Sequence, residues 1–505
     1  MARLEICFGC FVRRFLTGKT AWQVHEHVRS GLLIDADDYY RAFYVAALEA
    51  KRSILILGWQ FDSDVQLLRG GDVPHGRDPK EFELLLLLDR LCRERPELEV
   101  KMLAWDHSLI FSLEREVLQK IVFDISSCDR LQFKTDGTVP WGGSHHQKVA
   151  IIDGQVAFMG SADICQDRWD TSAHVSHDPL RVSRKDVPHK PYHEVQAVFG
   201  GETARLFVEL FAERWEHATG TKLDTEQLVS HENDDLLERI PVTLPMPTAP
   251  VGFSRTVPAG EGRDHVHEIR DLYVRAIQRA EHMIYIETQY VTSKCVRDAL
   301  VSRMKDTARP KLDIVLVLPQ KPEKLKEEVF IGGTQADVVS EIVAAARETG
   351  HALGIYDVAI PNGNGTDAFV YIHAKLMIVD DVFFTMGSAN LANRSMTVDS
   401  EINATWVAQA GDHELHAAIR RARVRLLLEH LGDVPDGVRV AAGRRGLVAR
   451  LDRVARKGKG RLRQYDLRRE TPSAIAKAMS DLANDYVDPT DGIEPLPPES
   501  VPSSW

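Results

Sequence analysis

The sequence predicts an α/β protein of two similar halves, each with a mixed, mainly parallel β-sheet covered by helices. Three observations predict this fold. Short apolar strands alternate with amphipathic helices, one short motif occurs twice, and each copy follows the first strand of its half at a similar distance. That distance is 92 positions from Ile54 to His146 and 89 positions from Ile284 to His373. The near equality indicates an internal duplication.

The elements of the first half are predicted in order from periodicity. Apolar residues at helical spacing predict a helix over 37–51, and the apolar run 54–57 predicts a buried strand. A second strand is predicted over 98–103. The run 149–152 is apolar throughout, as expected of a strand that is buried on both faces.

The second half repeats this plan. A helix is predicted over 267–280 and strands over 283–286, 312–317 and 376–379. Between the halves, residues 236–252 are rich in proline and follow an acidic stretch, which predicts a surface linker.

The predicted domains are therefore an N-terminal half over 1–235 and a C-terminal half over 253–432. An extension over 433–505 follows, first basic and then acidic and proline-rich. Residues 441–470 carry eleven Lys and Arg against three Asp and Glu. A solvated or acid-paired face packed on the core is the simpler interpretation of this basic segment, and contact with anionic lipid is the alternative.

Composition limits the function classes. The formal net charge of −11 over 505 residues gives no global positive field to attract nucleic acid. The six cysteines are scattered, which argues against a disulfide framework, and Cys7 and Cys10 form only half of a zinc-site spacing. No run of about 18 apolar residues exists and no signal peptide is recognised, so we expect a cytoplasmic or peripheral membrane protein. Delivery by a specialised secretion system stays open.

The repeated motif is His-x-Lys-x4-Asp, and each copy is followed at the same offset by Gly-Ser-Ala and then Asp or Asn. Its members are His146, Lys148 and Asp153 in the first half and His373, Lys375 and Asp380 in the second. Residues two apart on a strand share a face, so each histidine and its lysine point to one side. Phosphodiester exchange needs a nucleophile, a proton donor and positive charge around the phosphoryl oxygens. Two imidazoles and two ammonium groups supply all three without a metal or other cofactor.

The pattern resembles the phospholipase D superfamily, in which two such half-sites form one active site at the interface of two α/β/α domains. Segments such as Ile164–Thr171, with the letters ICQDRWDT, and 284–290, with the letters IYIETQY, are similar to the membrane-lipid phospholipases D of the eukaryotic type. Thr288 and Tyr192 depart from that pattern, which puts the lipid contacts in doubt. The short stretch before the first helix suggests a compact, prokaryotic-type enzyme.

The resemblance extends the set of candidate site residues. It implies that His146 is the nucleophile, that His373 is the general acid, and that Asp170 and Glu401 orient them, with Asp399 as a fallback. The motif aspartates Asp153 and Asp380 belong to the candidate catalytic set, although a structural role in holding backbone is favoured for them. Candidate phosphate ligands and possible substrate contacts complete the set: Ser161, Ser388 and Asn390 for phosphate, and His193, Trp59 and Gln289 for substrate.

The leading functional expectation is hydrolysis of a glycerophospholipid at a membrane surface to phosphatidic acid and a head-group alcohol, with possible transphosphatidylation. The alternatives are a phosphatidyltransferase similar to cardiolipin synthases and a nuclease of the same superfamily. The head group and the oligomeric state stay open, and no metal is expected in the site.

Overall fold

A computed structural model describes residues 15–106, 128–140, 142–232, 235–260, 264–320, 325–361 and 367–467. Cys7 and Cys10 lie outside these described residues. Within them, no helix has both the length and the apolar character needed to cross a lipid bilayer.

The described residues of the first half form eight strands. They are β1 Gln23–Ile34, β2 Ser53–Gly58, β3 Glu99–Trp105, β4 Leu131–Asp136, β5 Val149–Ile152, β6 Val156–Gly160, β7 Tyr192–His193 and β8 Val195–Gly200. Strands β2, β3 and β4 are parallel neighbours. On the other side of β2, the order β5, β6, β8, β1 continues the sheet with antiparallel pairs.

The second half repeats this order. Its strands are β9 Leu244–Val257, β10 Val266–His267, β11 Met283–Glu287, β12 Asp313–Val317, β13 Ala352–Pro361, β14 Asp367–Phe369, β15 Tyr371–Ile372, β16 Leu376–Val379, β17 Phe383–Gly387, β18 Glu401–Val407 and β19 Leu462–Gln464. Strands β11, β12 and β13 are parallel, and β16, β17 and β18 continue antiparallel from β11. The predicted α/β class with a mixed sheet in each half is confirmed, although antiparallel pairs outnumber parallel pairs among the described strands.

Helices cover the sheets. Those of the described residues are Asp35–Glu49, Leu84–Glu94, Glu202–Thr219, Leu236–Arg239, Glu268–Arg279, Lys294–Lys305, Leu325–Thr349, Asn393–Thr397, His413–Leu431, Gly437–Ala442 and Leu447–Lys457. The predicted helices over 37–51 and 267–280 correspond to Asp35–Glu49 and Glu268–Arg279. Both motif strands, β5 and β16, are buried along their whole length, as their continuous apolar sequences predict.

The two sheets are joined edge to edge, which corrects the prediction of a surface linker over 236–252. Part of this segment forms β9, which pairs with β1 on one side and with β18 on the other. Residues 244–249 of β9 pair with β1 alone. Prolines 245 and 247 are tolerated there because the other edge of that stretch needs no backbone donor.

The predicted C-terminal extension also begins inside the fold. The helix Leu447–Lys457 buries Leu447, Val448 and Leu451, and β19 pairs antiparallel with β13. Residues 433–467 therefore belong to the second half. The basic segment packs the apolar face of its helix on the core, as the simpler interpretation predicted.

Candidate active site

The two motif segments lie where one half contacts the other. The His146 N–H donates to the carbonyl of Ser400, at 3.0 Å, in the opposite half. In the matching contact, the His373 N–H donates to the carbonyl of His193 at 2.9 Å, beside the parallel pair of β7 and β15. Each motif histidine is thus fixed by the other half's backbone immediately before β5 or β16.

The side chains of the histidines are oriented across the same interface. His146 Nδ1 lies 3.0 and 3.1 Å from the two carboxylate oxygens of Glu401. His373 Nδ1 lies 2.9 Å from Glu194 Oε1. Because Nδ1 of each ring is held by a carboxylate, Nε2 of each ring is the nitrogen that is left for chemistry.

The predicted pairings are therefore wrong. Glu401 orients His146 and not His373, and Glu194 takes the place expected for a second carboxylate. Asp170 contacts neither motif histidine: its oxygens accept hydrogen bonds from His174, Arg181 and the backbone N–H of Tyr192. Asp399 receives hydrogen bonds from Ser144 and Arg394 instead.

The serines after the motifs position these carboxylates. Ser161 Oγ donates to Glu194 Oε2 at 2.5 Å and accepts from the N–H of Val195. Ser388 Oγ donates to Glu401 Oε2 and accepts from the N–H of Ile402. Both serines are fully buried, so the prediction that they bind phosphate is replaced by a role in fixing the histidine partners.

The lysines differ between the halves. Lys148 Nζ forms an ion pair with Asp163 at 3.0 Å. Lys375 Nζ donates to the carbonyl of His373 at 2.6 Å and lies 3.3 Å from Gln289 Oε1. At the position equivalent to Asp163 the second half has Asn390, whose buried Oδ1 has no hydrogen-bond partner among the described residues. The carboxylate that neutralises the first lysine is thus missing beside the second.

This asymmetry leaves a concentrated positive charge. Burial lowers the pKa of Lys375 to about 7, and Lys148 and Arg168 act in the same direction, against Glu194. Burial also holds the pKa of His373 well below its ordinary value, and neighbouring cations add to the effect. Those cations include Lys375, Arg168 and Lys148. A site where cations repel one another this strongly is electrostatically prepared for an anion.

The motif aspartates lie at the far end of β5 and β16. Asp153 accepts the backbone N–H groups of Lys51, Arg52 and Ser53 at 2.7 to 2.8 Å. Asp380 accepts three N–H groups at the start of β11 over the same distances. These backbone contacts fit the structural role that the sequence favoured for both aspartates.

Of the three predicted substrate contacts, two lie at the site and one does not. Gln289 lies in the site, with Nε2 on the hydroxyls of Tyr290 and Tyr371. Trp59 is partly exposed, and its backbone N–H donates to Asp163, the ion-pair partner of Lys148. His193 is wrong as a substrate contact because its side chain is fully buried among carboxylates, at 3.0 Å from Asp35 and 2.9 Å from Glu287.

Glu194 is the site residue that sequence reasoning did not assign. One signal could have found it. Glu194 directly precedes β8 and Glu401 begins β18, and these strands pair with β6 and β17, which end in the glycine before each motif serine. Each half therefore has an acidic residue at the start of the strand that pairs with the Gly-Ser-Ala strand, and this repeated residue is the one that orients a motif histidine.

Comparisons with known proteins agree with this geometry. A family described as phospholipase D matches residues 46–244, and one described as cardiolipin synthase, PLD-like domain, matches residues 273–423. The chain belongs to the phospholipase D superfamily.

Similar proteins include phospholipase D A of Dictyostelium discoideum, 26% identical over 479 residues, which cover 81% of this chain and 36% of that relative. Phospholipase D gamma 1 of Arabidopsis thaliana is 25% identical over 535 residues, which cover 78% of this chain and 61% of that relative. The chain thus spans less than two thirds of the length of these superfamily relatives.

A solved structure, phosphatidylserine synthase of Haemophilus influenzae, has the same fold. It aligns with a TM-score of 0.51 at 13% identity, over 86% of this chain and 95% of that one.

Proposed function

We propose that this protein is a phospholipase D that hydrolyses glycerophospholipids to phosphatidic acid and a free head-group alcohol. The crossed pair of oriented histidines carries the proposal. His146 and His373 come from opposite halves, and each is held through Nδ1 by a carboxylate of the other half. Two imidazoles with free Nε2 atoms beside two buried lysines suit an in-line displacement at a phosphodiester.

The reaction proceeds in two displacements. Nε2 of His146 attacks phosphorus, the bond from phosphorus to the head-group oxygen breaks, and His373 gives its proton to the leaving alcohol. His373 then takes a proton from water, the water oxygen attacks phosphorus, and the bond to His146 Nε2 breaks. The products are phosphatidic acid and the alcohol, and both histidines return to their first state.

Charge in the site supports these steps. In the ligand-free site the low pKa of His373 keeps its side chain unprotonated. A general acid must carry a proton, so His373 has to gain one before it can act. A bound phosphodiester brings a negative charge against the same cations and raises that pKa, so protonation of His373 follows substrate binding. Lys148 and Lys375 stabilise the charge on the non-bridging oxygens, so chemistry at phosphorus needs no metal ion.

Among the alternatives to hydrolysis, transfer of the phosphatidyl group to a second alcohol has the most support. An alcohol in place of water would attack the same intermediate, and the second half matches a family described as cardiolipin synthase. We rank hydrolysis first because both relatives named above are phospholipases D. A superfamily nuclease ranks last, since the chain has a net charge of −11 and its basic segment is partly folded onto the second half.

The deciding experiment offers the full chain three substrates in parallel. These are phosphatidylcholine, phosphatidylethanolamine and single-stranded DNA, each with a strong chelator present and with a primary alcohol added or omitted. We expect release of choline or ethanolamine, phosphatidic acid without the alcohol, and no cleavage of DNA. Cleavage of DNA alone, or loss of all turnover within minutes of adding chelator, would overturn the proposal.

A trapped intermediate tests the assignment of the nucleophile. Rapid acid-free quenching with a phosphorus-labelled substrate should place the phosphoryl group on His146. His146→Asn and His373→Asn should each lose about two to four orders of magnitude in kcat, the usual contribution of general acid–base catalysis. A label on His373 would reverse the two roles and leave the two-step mechanism intact.

A further inference from the structure

A second cluster of titratable side chains lies directly behind the candidate active site, and the mechanism uses none of it. Its members are Asp35, Asp170, His174, His193, Glu287, Glu429 and His430, all at most 3% exposed. Both halves contribute, and His193 precedes the Glu194 that orients His373. Fully buried groups of this kind must be satisfied by hydrogen bonds, by protons or by a cation.

Four donor atoms of this cluster converge on one point. They belong to Asp35, His174, His193 and Glu429, and they all lie within 4.8 Å of one another. His193 Nδ1 is 2.6 Å from Glu429 Oε1 and 3.0 Å from Asp35 Oδ1. His174 Nε2 is 3.3 Å from Glu429 Oε1 and 4.0 Å from Asp35 Oδ2.

These distances suit a small tetrahedral ion. Ligand nitrogens and oxygens lie about 2.0 to 2.2 Å from zinc, which puts them roughly 3.3 to 3.6 Å from one another. The four separations run from 2.6 to 4.0 Å. To centre the donors on an ion, the shortest pair must open by roughly 0.7 Å and the longest pair must close by roughly 0.4 Å. Two imidazoles with two carboxylates are a donor set typical of zinc-class cations.

One atom in the cluster points to a ligand independently of these distances. Asp35 Oδ2 is buried and accepts no hydrogen bond among the described residues. Asp35 itself is 1% exposed, and this oxygen faces His174 Nε2. A buried carboxylate oxygen without a donor is costly, and a cation at the centre of the four donors would satisfy it.

Two further members of the cluster, Asp170 and Glu287, each hold one of the two histidines, as carboxylates commonly hold metal-binding imidazoles. Asp170 Oδ2 lies 2.8 Å from His174 Nδ1, and Glu287 Oε2 lies 2.9 Å from His193 Nε2. Each imidazole therefore gives one nitrogen to a carboxylate and turns the other toward the four-donor centre. This carboxylate–histidine arrangement fixes the tautomer that a metal ion requires.

We propose that Asp35, His174, His193 and Glu429 bind one structural divalent cation of the zinc class. The ion joins the first half, which supplies three ligands, to the second half, which supplies Glu429. It takes no part at phosphorus. Since the ligands are buried, the ion enters during folding and resists extraction from the native protein.

The first test is the metal content of the full chain, purified without a metal-affinity column. Elemental analysis should find one zinc per chain, kept during dialysis of native protein against chelator and lost when the protein is unfolded in chelator. Refolding with cobalt(II) should give the visible absorption of a tetrahedral site. X-ray absorption of the zinc form should show two imidazoles at about 2.0 to 2.1 Å and no sulfur.

Two variants place the ion. Asp35→Asn and His174→Gln should lose stoichiometric metal, whereas Asp37→Asn should keep it because Asp37, on the same helix, pairs with Arg41 and lies outside the four donors. Circular dichroism shows whether each variant is folded. If a variant does not fold, the cobalt absorption and X-ray absorption spectra of the unaltered protein still test whether the metal site exists.

Two results would overturn the proposal. One is a native chain that holds no stoichiometric metal even after refolding with zinc or cobalt, in which case protons occupy the imidazole nitrogens. The other is metal that stays bound in both variants or has sulfur ligands. Neither result bears on phosphodiester cleavage, because none of these measurements depends on turnover.

Discussion

Each motif histidine is held by a glutamate from the other half, and in the proposed mechanism Glu401 supports the nucleophile while Glu194 supports the acid–base group. We expect Glu401→Gln and Glu194→Gln each to lower kcat by about 10²-fold or more, because an amide can donate to Nδ1 and hold the wrong tautomer. A substrate with a p-nitrophenol leaving group needs little proton donation, so it should restore the first step in Glu194→Gln but not in Glu401→Gln.

Burst kinetics with that substrate measure the first step directly. Glu202→Gln is the matched control, since Glu202 is exposed at the start of its helix and should leave both steps unchanged. Equal rescue of the two site variants would contradict the division of roles between His146 and His373.

Lys375 should add a second fall in activity at alkaline pH, beyond the fall that loss of the His373 proton causes at lower pH. Its pKa is lowered to about 7, so in the free protein it is charged below that pH and loses its proton as the pH rises through it. The value of kcat/KM, which reports the free enzyme, should therefore fall above about pH 7. Lys375→Arg should move this limb to higher pH at reduced activity, since guanidinium keeps its proton. An unmoved limb would assign it to another group.

The motif histidines and lysines could be read from the sequence, but their partners could not. Asp170 was expected beside His146 because the family resemblance implied it, yet the actual partner, Glu401, belongs to the second half. A carboxylate that crosses between halves has no sequence spacing to reveal it. The four-donor cluster escaped for the same reason, since its members are spread from Asp35 to Glu429.

At the scale of elements, strands that are apolar throughout were predicted well, and the strands that join the two halves were not predicted. The runs that form β2, β5, β11 and β16 are apolar throughout, which is a strong signal. Strand β1 and the proline-rich start of β9 carry no such signal, because β9 tolerates prolines where its edge is unpaired. The joint between the two halves therefore had to come from the structure.

The motif aspartates belong to this scale because each fixes the start of a neighbouring strand. We expect Asp153→Asn and Asp380→Asn to lower the free energy of unfolding by about 1 to 3 kcal/mol, since an amide cannot accept three N–H groups. Urea unfolding measures this, with exposed Asp433→Asn as control. Activity per folded molecule should stay unchanged, and a large fall in kcat of the folded variants would return these residues to the catalytic set.

At the scale of the whole molecule, the proposed lipid substrate raises the question of how a chain with net charge −11 would bind an anionic membrane. Four exposed cations at the end of the helix Leu447–Lys457 and just beyond it form a C-terminal basic patch. They are Arg453, Arg456, Lys457 and Lys459. The helix packs its apolar face on the second half, so these charges are presented outward from a fixed support.

We expect replacement of the C-terminal basic patch by four Gln residues to weaken binding to anionic vesicles. The loss should approach roughly 1 kcal/mol per cation at low salt, and the remaining binding should depend less on ionic strength. Turnover of a short-chain soluble substrate should not change, because no hydrogen bond or ion pair among the described residues joins the patch to a site residue. Vesicle sedimentation over a series of salt concentrations measures the first effect and soluble-substrate kinetics the second.

A charge-matched control separates the patch from net charge alone. It replaces four exposed cations elsewhere by Gln: Arg205, Lys222, Lys305 and Arg347. Both variants lose four positive charges, so equal losses of vesicle binding would mean that only total charge matters. A loss confined to the patch variant would place the membrane on this face. If neither variant binds less, the partly exposed Trp59 at the site is the next surface to test, since an aromatic ring there could enter the lipid interface without any charge.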